Sequence, residues 1–343
     1  MSPPPLAGPS RLRVVLLIAV IGVAAVLVAV IVADPRRVGV YQSHPGRSPT
    51  PGEATWVLRP SAPVALTEVA AAAHQGRVWV AGGLDSGGKA SSRVLAFDPA
   101  SGHWSDGPAL PTGVHHAALV SDGASLWLLG GYLGGTFDRP TASVLRLDEG
   151  PARWIEDEPL PAARAAGAAA WDGRRIVYAG GVGPTGAAGD VFARGTAGSG
   201  WRRIGSLGVA REHLAAAGNG SGSVMFLGGR RGDLGNLAEG DEVRGDEVRR
   251  VPAAVPTARG GVAAFFTPSL GFCLVGGEGP AGTFGDVECA SANEGAHARS
   301  LPGLRVPRHG LGASVVDGVA YALLGGRSPG LFVSDVVESL ALP

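Results

Sequence analysis

The sequence has little charge and almost no lysine. Of its 343 residues 17% are charged, Lys89 is the single lysine, and the formal net charge is zero. Proteins that bind nucleic acids neutralise phosphates with clustered basic residues, so this balance gives no support for a nucleic-acid partner. Helical periodicity is missing outside one apolar segment near the N-terminus. Instead, 56 glycines and 26 prolines separate many short apolar runs, which is typical of an all-β fold rich in turns.

Cysteine is equally scarce, with only Cys273 and Cys289 in the whole chain. No group of Cys or His residues has the sequence spacing of metal ligands. The sequence therefore predicts no metal site, and no motif in it indicates a cofactor.

A Gly-Gly pair recurs six times at intervals of 48 to 50 residues. Each pair ends a short apolar run that we interpret as a buried strand, where glycine permits a positive φ and a close backbone approach. A strand of small residues precedes each run, and two more strands follow the pair. This period predicts six antiparallel four-stranded units. The pairs are Gly82-Gly83, Gly130-Gly131, Gly180-Gly181, Gly228-Gly229, Gly276-Gly277 and Gly325-Gly326.

The repeat resembles the kelch repeat, whose period is about 50 residues. The matching features are the Gly pair, an Asp six residues before a Trp, as at Asp98 and Asp148, and a following Leu-Pro. The resemblance covers Trp56 to Pro343. It implies a six-bladed kelch-type β-propeller over residues 54–343.

The two ends of the repeat region complement each other. The sixth repeat stops at Pro343 after a third strand, Asp335 to Leu340, and a spare strand-like segment, Thr55–Pro60, precedes the first repeat. We expect this N-terminal strand to complete the last blade. Such pairing closes the ring and removes its open sheet edge.

Both cysteines fall in the fifth repeat, on its second and third strands. Cys273 and Cys289 are symmetric about the loop near Ala281, so an antiparallel hairpin brings them opposite each other. We expect a disulfide, which an extracytoplasmic location permits. The alternative is two separate buried thiols.

Basic and acidic residues gather where the first strand of each repeat begins. The kelch resemblance implies that arginines near this point face the mouth of the central channel. One interpretation is an anion-binding mouth, because guanidinium groups offer forked donors to carboxylates and phosphates. The other is structural, with each arginine bonded to strand-end carbonyls or to a nearby carboxylate. The candidate ligand-binding residues are Arg164, Arg211, Arg259, Arg308, His115, His309 and Glu68.

Two function classes follow from this pattern. The favoured one is a binding or scaffold module for an unknown protein, or for an anionic small molecule or carbohydrate. The alternative is a sugar-processing enzyme, because the kelch-like group includes exported six-bladed sialic-acid mutarotases. That chemistry needs an acid/base pair, for which Glu68, Glu212, His213 and His309 are candidates. No motif fixes them, so no catalytic residue is assigned.

Residues 14–33 form 20 continuous apolar positions, long enough to span a bilayer. They follow a short tail, residues 1–13, and precede residues 34–53, which we interpret as a flexible linker. We expect an uncleaved signal-anchor, with the membrane as a partner and the propeller outside the cytoplasm. The alternative is secretion after signal cleavage, although the apolar region of a signal peptide, roughly 7–15 residues, is shorter than this one.

Overall fold

The computed structural model describes residues 42–148, 152–195, 200–232, 235–290 and 298–343. The predicted anchor, residues 14–33, and the tail before it lie outside these ranges. Within the described ranges, no helix has the length and apolar character needed to cross a membrane.

Six antiparallel sheets of four strands form the blades of a propeller. Blade 1 contains Ala70–His74, Arg77–Ala81, Val94–Asp98 and His103–Asp106, and blade 2 contains Ala118–Ser121, Leu126–Leu129, Val144–Asp148 and Arg153–Glu156. Blade 3 contains Ala168–Trp171, Arg175–Ala179, Asp190–Gly195 and Arg202–Ser206, and blade 4 contains Ala215–Gly218, Ser223–Leu227, Gly240–Arg244 and Glu247–Val251. Blade 5 contains Ala263–Thr267, Gly271–Val275, Val287–Ala290 and Arg299–Leu301, and blade 6 contains Gly312–Val316, Val319–Leu323, Val337–Ala341 and Val57–Leu58.

Three short ribbons lie beside the blades, where the lead-in to a first strand or the loop after a second strand folds back. They pair Val114–His115 with Tyr132–Leu133, Val182–Gly183 with Gly186–Ala187, and Glu278–Gly279 with Gly282–Thr283.

The N-terminal strand closes the ring as the sequence predicted. Val57 pairs with Ser339 and Leu58 with Glu338, so the outermost strand of blade 6 comes from the start of the domain. Trp56 is 1% exposed, and its indole Nε1 donates to the carbonyl of Pro302 in blade 5 at 2.9 Å. The first strand therefore binds both the last blade and the one before it.

The hydrophobic core is divided among the junctions between blades. The six buried clusters each join side chains of two adjacent blades, and the one containing Trp56 joins blades 5 and 6. Fourth-strand tryptophans add a bond across the junction: Trp154 Nε1 donates to the Pro108 carbonyl of blade 1 at 2.8 Å. Because each blade buries apolar side chains against its neighbours, every junction, including the one at closure, contributes to the stability of the ring.

The Gly pairs lie where a second strand ends against the lead-in to the next blade. Gly130 has φ +62°, and a Cβ on it would lie 2.4 Å from the Arg164 carbonyl oxygen. In blade 6 the equivalent residues are Leu324 (φ 60°) and Gly325 (φ 93°), whose N–H groups donate to Val336 and Leu66. The predicted pair Gly325-Gly326 is therefore one residue out of register, because Leu324 adopts the left-handed conformation in place of a glycine.

Two other sequence expectations concern blade 5. Cys273 and Cys289 are directly opposed on its second and third strands and form the predicted disulfide. Residues 42–53, predicted as linker, lie along the same blade: Gln42 and His44 donate from their backbone N–H groups to the carbonyls of residues 281 and 283, each at 2.8 Å. These main-chain bonds attach the segment around Gln42 and His44 to blade 5.

Candidate functional site

Three of the four predicted arginines lie inside the blades. Arg211, Arg259 and Arg308 are 0% exposed. Each arginine donates from Nε and Nη2 to two carbonyls at the end of the second strand of its blade. From Nη1 it donates to the carbonyl of the residue two positions before the arginine itself.

The same arginines pair with carboxylates of the third strand. The Nη1–oxygen distance is 2.6 Å from Arg211 to Asp241, and 2.6 Å from Arg308 to Glu338. Arg259 pairs in the same way with Glu288, at 2.5 Å. These guanidinium groups extend outward across their own blades and do not present their donors to the channel. Their contacts match the second interpretation of the sequence, in which each arginine bonds strand-end carbonyls and a nearby carboxylate.

Arg164 occupies the equivalent position in blade 3. It is 7% exposed, donates to the Ala163 carbonyl, and pairs with Asp190 at 2.8 Å. The ring of four arginines expected at the mouth is therefore replaced by four ion pairs within blades.

The residues two positions after the four arginines, together with Glu68 and His116 of blades 1 and 2, do surround the channel. All six have φ between +53° and +63°. The N–H of each of the last five, from His116 to Gly310, donates to the carbonyl of its equivalent in the preceding blade, and Val69 closes the circle by donating to Gly310 at 3.3 Å. The left-handed backbone directs these groups around the axis. We call this set the mouth ring: Glu68, His116, Ala166, His213, Gly261 and Gly310.

Two further positions in each blade flank the mouth ring. In each blade, the residue before the mouth-ring member forms a β-bridge with the residue that directly follows the Gly pair, or Leu324-Gly325 in blade 6. In blade 4, for example, Glu212 pairs with Arg230. These bridges bring further polar side chains to the mouth, of which Arg230 and Glu278 were not predicted as site residues. We call the resulting set the mouth cluster: Glu68, His115, His116, Glu212, His213, Arg230, Glu278 and His309.

Blade 2 supplies two histidines in direct contact. The Nδ1 atoms of His115 and His116 are 2.6 Å apart, and His115 Nε2 lies 3.2 Å from the Thr136 carbonyl oxygen. His116 Nε2 is 3.1 Å from Glu68 Oε2 and 2.9 Å from His213 Nε2. His116 thus connects blades 1, 2 and 4 at the axis.

Blade 4 contributes a carboxylate, an imidazole and a guanidinium. The Nδ1 of His213 contacts the carboxylate of Glu212. Arg230 bonds Glu212 through Nε at 2.9 Å, Glu278 through Nη1 at 2.9 Å and His213 Nε2 through Nη2 at 3.0 Å. All three nitrogens of Arg230 therefore act within the mouth cluster.

Blade 6 provides His309 beside two carboxylates. Its Nδ1 is 3.3 Å from Glu68 Oε1 and 3.5 Å from Glu278 Oε2, and its Nε2 is 3.0 Å from the carbonyl of Ser328. The structure thus brings together the predicted residues Glu68, His115 and His309, but it separates them from the predicted arginines.

The titratable groups of the mouth cluster differ in charge. Burial lowers the pKa of His116 to about 4, and burial together with the charges of His116 and Arg230 holds the pKa of His213 well below its ordinary value. Burial opposes the ionised form of Glu68, yet His116 and His309 hold its pKa well below the usual range. Burial also opposes the charged form of His309, but Glu68 and Glu278 raise its pKa. The shifts in the pKa of Glu68 and His309 thus favour their ionised forms, and those in the pKa of His116 and His213 favour the neutral imidazoles.

The mouth cluster also has the composition of a metal-binding group. Glu68, His116 and His213 each offer one ligand atom, and the three atoms lie within 4.8 Å of one another. The sequence predicted no such site because these residues come from three blades, 48 and 97 positions apart. Relative to the Gly pair of its repeat, Glu68 and His116 lie 14 residues before the first glycine and His213 lies 15 before it, so an alignment on the glycines brings the three residues within one position of a common column.

One segment of the sequence matches a known family model. Residues 65–111, which include blade 1, match the kelch motif. With its six four-stranded blades, the described domain is a six-bladed propeller of the kelch type.

Known proteins show how far this kelch propeller resembles others. Beta-scruin and alpha-scruin of Limulus polyphemus are each 32% identical to it, over 112 and 110 residues, or 32% of this chain. The matches span 12% of the length of those two proteins. The solved structure of YjhT superposes with a TM-score of 0.67 at 14% identity, covering 82% of this chain and 96% of that one. At this identity the likeness shows the fold alone.

Three exposed apolar side chains stand around the mouth of the kelch propeller. Phe137, Leu331 and Phe332 are 49%, 50% and 53% exposed, and the Phe137 ring centroid is 5.4 Å from that of His116. The two loops that carry these side chains both approach the loop of blade 1 that contains Gly88. A Cβ added to Gly88 would lie 3.6 Å from Leu331 Cδ1, and a Cβ added to Gly135 would lie 2.5 Å from the Gly88 carbonyl oxygen. We call Phe137, Leu331 and Phe332 the apolar rim.

The channel itself is narrow at the mouth and wider at the other end. The cavity at the mouth ring has a volume of about 70 Å³. The cavity between the first strands has a volume of about 290 Å³ and is lined mostly by small apolar residues such as Ala71–Ala73. Hydrogen-bonding side chains therefore concentrate at the mouth end.

Proposed function

We propose that this kelch propeller is a binding module that takes its ligand at the channel mouth. The observation that carries the proposal is the apolar rim beside the mouth cluster. Exposed large apolar side chains on adjoining loops, next to buried polar groups, are typical of a binding surface. A ligand there would pack on the rim and place hydrogen-bond donors toward the carboxylates of the mouth cluster.

The contacts of the arginines change the ligand class that we favour. Arg211, Arg259 and Arg308 bond their own blades, so an anionic ligand finds no free guanidinium from these three. The mouth cluster contains three carboxyl groups beside one guanidinium, that of Arg230. We therefore favour a ligand rich in donor groups, such as a carbohydrate or a polypeptide, over a simple anion.

The test uses the rim and a matched control on another surface. The purified protein is screened against glycan and peptide arrays, and the affinity of each hit is measured by calorimetry. Phe137→Ala and the double change at Leu331 and Phe332 should weaken binding at least tenfold. Leu58→Ala, which alters an equally exposed side chain on the edge strand of blade 6, should have no effect. A ligand that binds all variants equally would place the binding surface elsewhere.

We also propose that residues 14–33 anchor the protein in the cell membrane with the propeller outside the cytoplasm. The Cys273–Cys289 disulfide supports this location, because disulfides persist in oxidising compartments. Alkaline extraction of membranes should leave the protein in the pellet, and a protease added to intact cells should digest the propeller. Release by alkali would favour cleavage of the signal, and full protection from protease would contradict the location.

A second candidate function is sugar mutarotation or epimerisation. The contact of 3.3 Å between Glu68 Oε1 and His309 Nδ1 favours it, because the pKa of Glu68 is lowered and that of His309 is raised, and two groups whose pKa values are shifted apart can serve as base and acid. Saturation-transfer NMR on a panel of reducing sugars and sialic acid should then show faster anomer exchange, lost in Glu68→Gln and in His309→Asn. Exchange at the same rate with and without the protein would reject this function.

A further inference from the structure

We propose that Glu68, His116 and His213 form a binding site for a divalent transition-metal ion, with Zn²⁺ the best match, on the axis of the channel. The proposal goes beyond the binding function above and rests on different observations. These are the arrangement of hydrogen-bond donors and acceptors around the three side chains, and the geometry of the mouth ring.

The first step is the tautomer of His116, assigned from its hydrogen-bond partners. The Thr136 carbonyl can only accept, so His115 donates to it from Nε2 at 3.2 Å. The neutral ring of His115 then has an unprotonated Nδ1, which accepts from Nδ1–H of His116 at 2.6 Å. His116 is left with a lone pair on Nε2, directed at the channel axis.

The second step is the same assignment for His213. Arg230 donates to Nε2 of His213 at 3.0 Å, and a guanidinium has no acceptor, so this nitrogen has a lone pair. The proton of the neutral ring is then on Nδ1, the nitrogen beside the Glu212 carboxylate. Both imidazoles therefore present unprotonated Nε2 atoms to the axis.

These assignments bring three acceptors together without a proton between them. His116 Nε2 lies 3.1 Å from Glu68 Oε2 and 2.9 Å from His213 Nε2. A cation at their common point removes the repulsion between the lone pairs. In a tetrahedral zinc site with bonds of about 2.1 Å, neighbouring ligand atoms are about 3.4 Å apart, so small side-chain shifts suffice.

Each of the three ligands has a partner that orients it. His116 is held by His115, His213 by the Glu212 carboxylate, and Glu68 by His309, 3.3 Å from its Oε1. A carboxylate on the far nitrogen of a ligating histidine fixes its orientation and raises its basicity. The hydrogen-bonded mouth ring fixes the backbone of all three ligands.

The charge balance of the mouth cluster also suits a divalent cation. The cluster brings the three carboxyl groups of Glu68, Glu212 and Glu278 together around a single guanidinium, that of Arg230. Arg230 is the group that a metal ion displaces from His213 Nε2, and its bonds to Glu212 and Glu278 hold it within the cluster.

Small residues leave room beside the three ligands. Ala166, Gly261 and Gly310 complete the mouth ring, and a Cβ on Gly310 would come within 2.6 Å of Glu68 Oε1. Three protein ligands and an accessible cavity match zinc sites that keep a fourth position for water or a ligand. A donor-rich ligand at the mouth would approach the ion from this side.

The experiment is a metal titration of the purified, chelator-treated protein with Zn²⁺, followed by Co²⁺. We expect one equivalent per chain by calorimetry, a higher melting temperature with Zn²⁺, and visible absorption from Co²⁺ in a four-coordinate site. His116→Ala and His213→Ala should each weaken Zn²⁺ binding at least 100-fold. Glu212→Gln, which alters a positioning residue, should weaken it about 10- to 100-fold.

Two controls separate site loss from misfolding and from adventitious binding. His103→Ala removes an exposed histidine far along blade 1 and should leave the titration unchanged. The variants must melt like the parent without metal, and His116→Gln replaces any His116→Ala protein that does not. Absence of Zn²⁺ uptake by the parent, or equal uptake by the His116 and His213 variants, would overturn the proposal. A protonated His116 in ¹⁵N NMR spectra with Zn²⁺ present would identify the cation as a proton and overturn it as well.

Discussion

Replacing Trp56 with alanine tests how far the whole propeller depends on the strand that closes its ring. Trp56 precedes the two-residue strand Val57–Leu58 and is the largest side chain that this segment buries. It packs in the cluster that joins blades 5 and 6 and bonds the Pro302 carbonyl. The change therefore removes contacts at the point where the two ends of the domain meet.

The magnitude follows from burial. Truncating a buried Trp to Ala costs about 3–5 kcal/mol, and the Pro302 carbonyl that loses its donor places Trp56→Ala toward the upper end of that range. For a domain larger than 200 residues, each kcal/mol shifts the melting temperature by about 2 °C. We expect the melting temperature to fall by about 6–10 °C in a single transition, because Trp56 lies in a junction between two blades and each blade packs on its neighbours.

Differential scanning calorimetry of the parent and of Trp56→Ala measures this shift. The matched control is Leu58→Ala in the same segment, where the side chain is 50% exposed and the expected effect lies within about 0.5 kcal/mol. A Trp56→Ala protein that melts within 2 °C of the parent, or that loses no more than Leu58→Ala, would refute closure as a source of stability.

Three more changes test individual contacts by calorimetry or thermal melting. Gly130→Ala should be strongly destabilising, because its Cβ would lie 2.4 Å from a carbonyl oxygen of the next blade; a melting temperature equal to that of the parent would contradict the steric argument. Arg308→Met should cost about 3–5 kcal/mol by leaving Glu338 buried and unpaired, and the additional change Glu338→Gln should restore part of the loss. Reducing the Cys273–Cys289 disulfide under denaturing conditions and refolding the protein with blocked thiols should cost about 3 kcal/mol, and an unchanged melting temperature would count against this value.

The sequence predicted the blades because the repeat is a direct consequence of folding. The glycines mark positions of positive φ and close backbone approach, and five of the six pairs lie where the structure requires them. The sixth prediction was wrong because the sequence contains the pair Gly325-Gly326 one position later. The structure requires two successive residues with positive φ, and these are Leu324 and Gly325. Only the backbone angles distinguish these two registers.

The arginines show a different limit of sequence interpretation. Their positions on the lead-in segments were correct, but the direction of a long side chain does not follow from its position. The structure sends Arg211, Arg259 and Arg308 outward because a carboxylate on the third strand follows each of them by 30, 29 and 30 residues. That constant offset was visible in the sequence and indicates ion pairs within blades.

The mouth cluster follows from columns of the repeat and not from spacing along the chain. In a closed ring, equivalent residues of all blades face one axis, so ligands in any three blades can meet there. The separations between such ligands in the sequence are close to multiples of the repeat length, as for Glu68, His116 and His213. A search for ligands that are close together in the sequence therefore does not find them. The remaining members of this column, Ala166 and two glycines, contribute space. Three small residues and three polar residues therefore suit each other at the axis. Six bulky side chains would fill the space that three polar side chains can share.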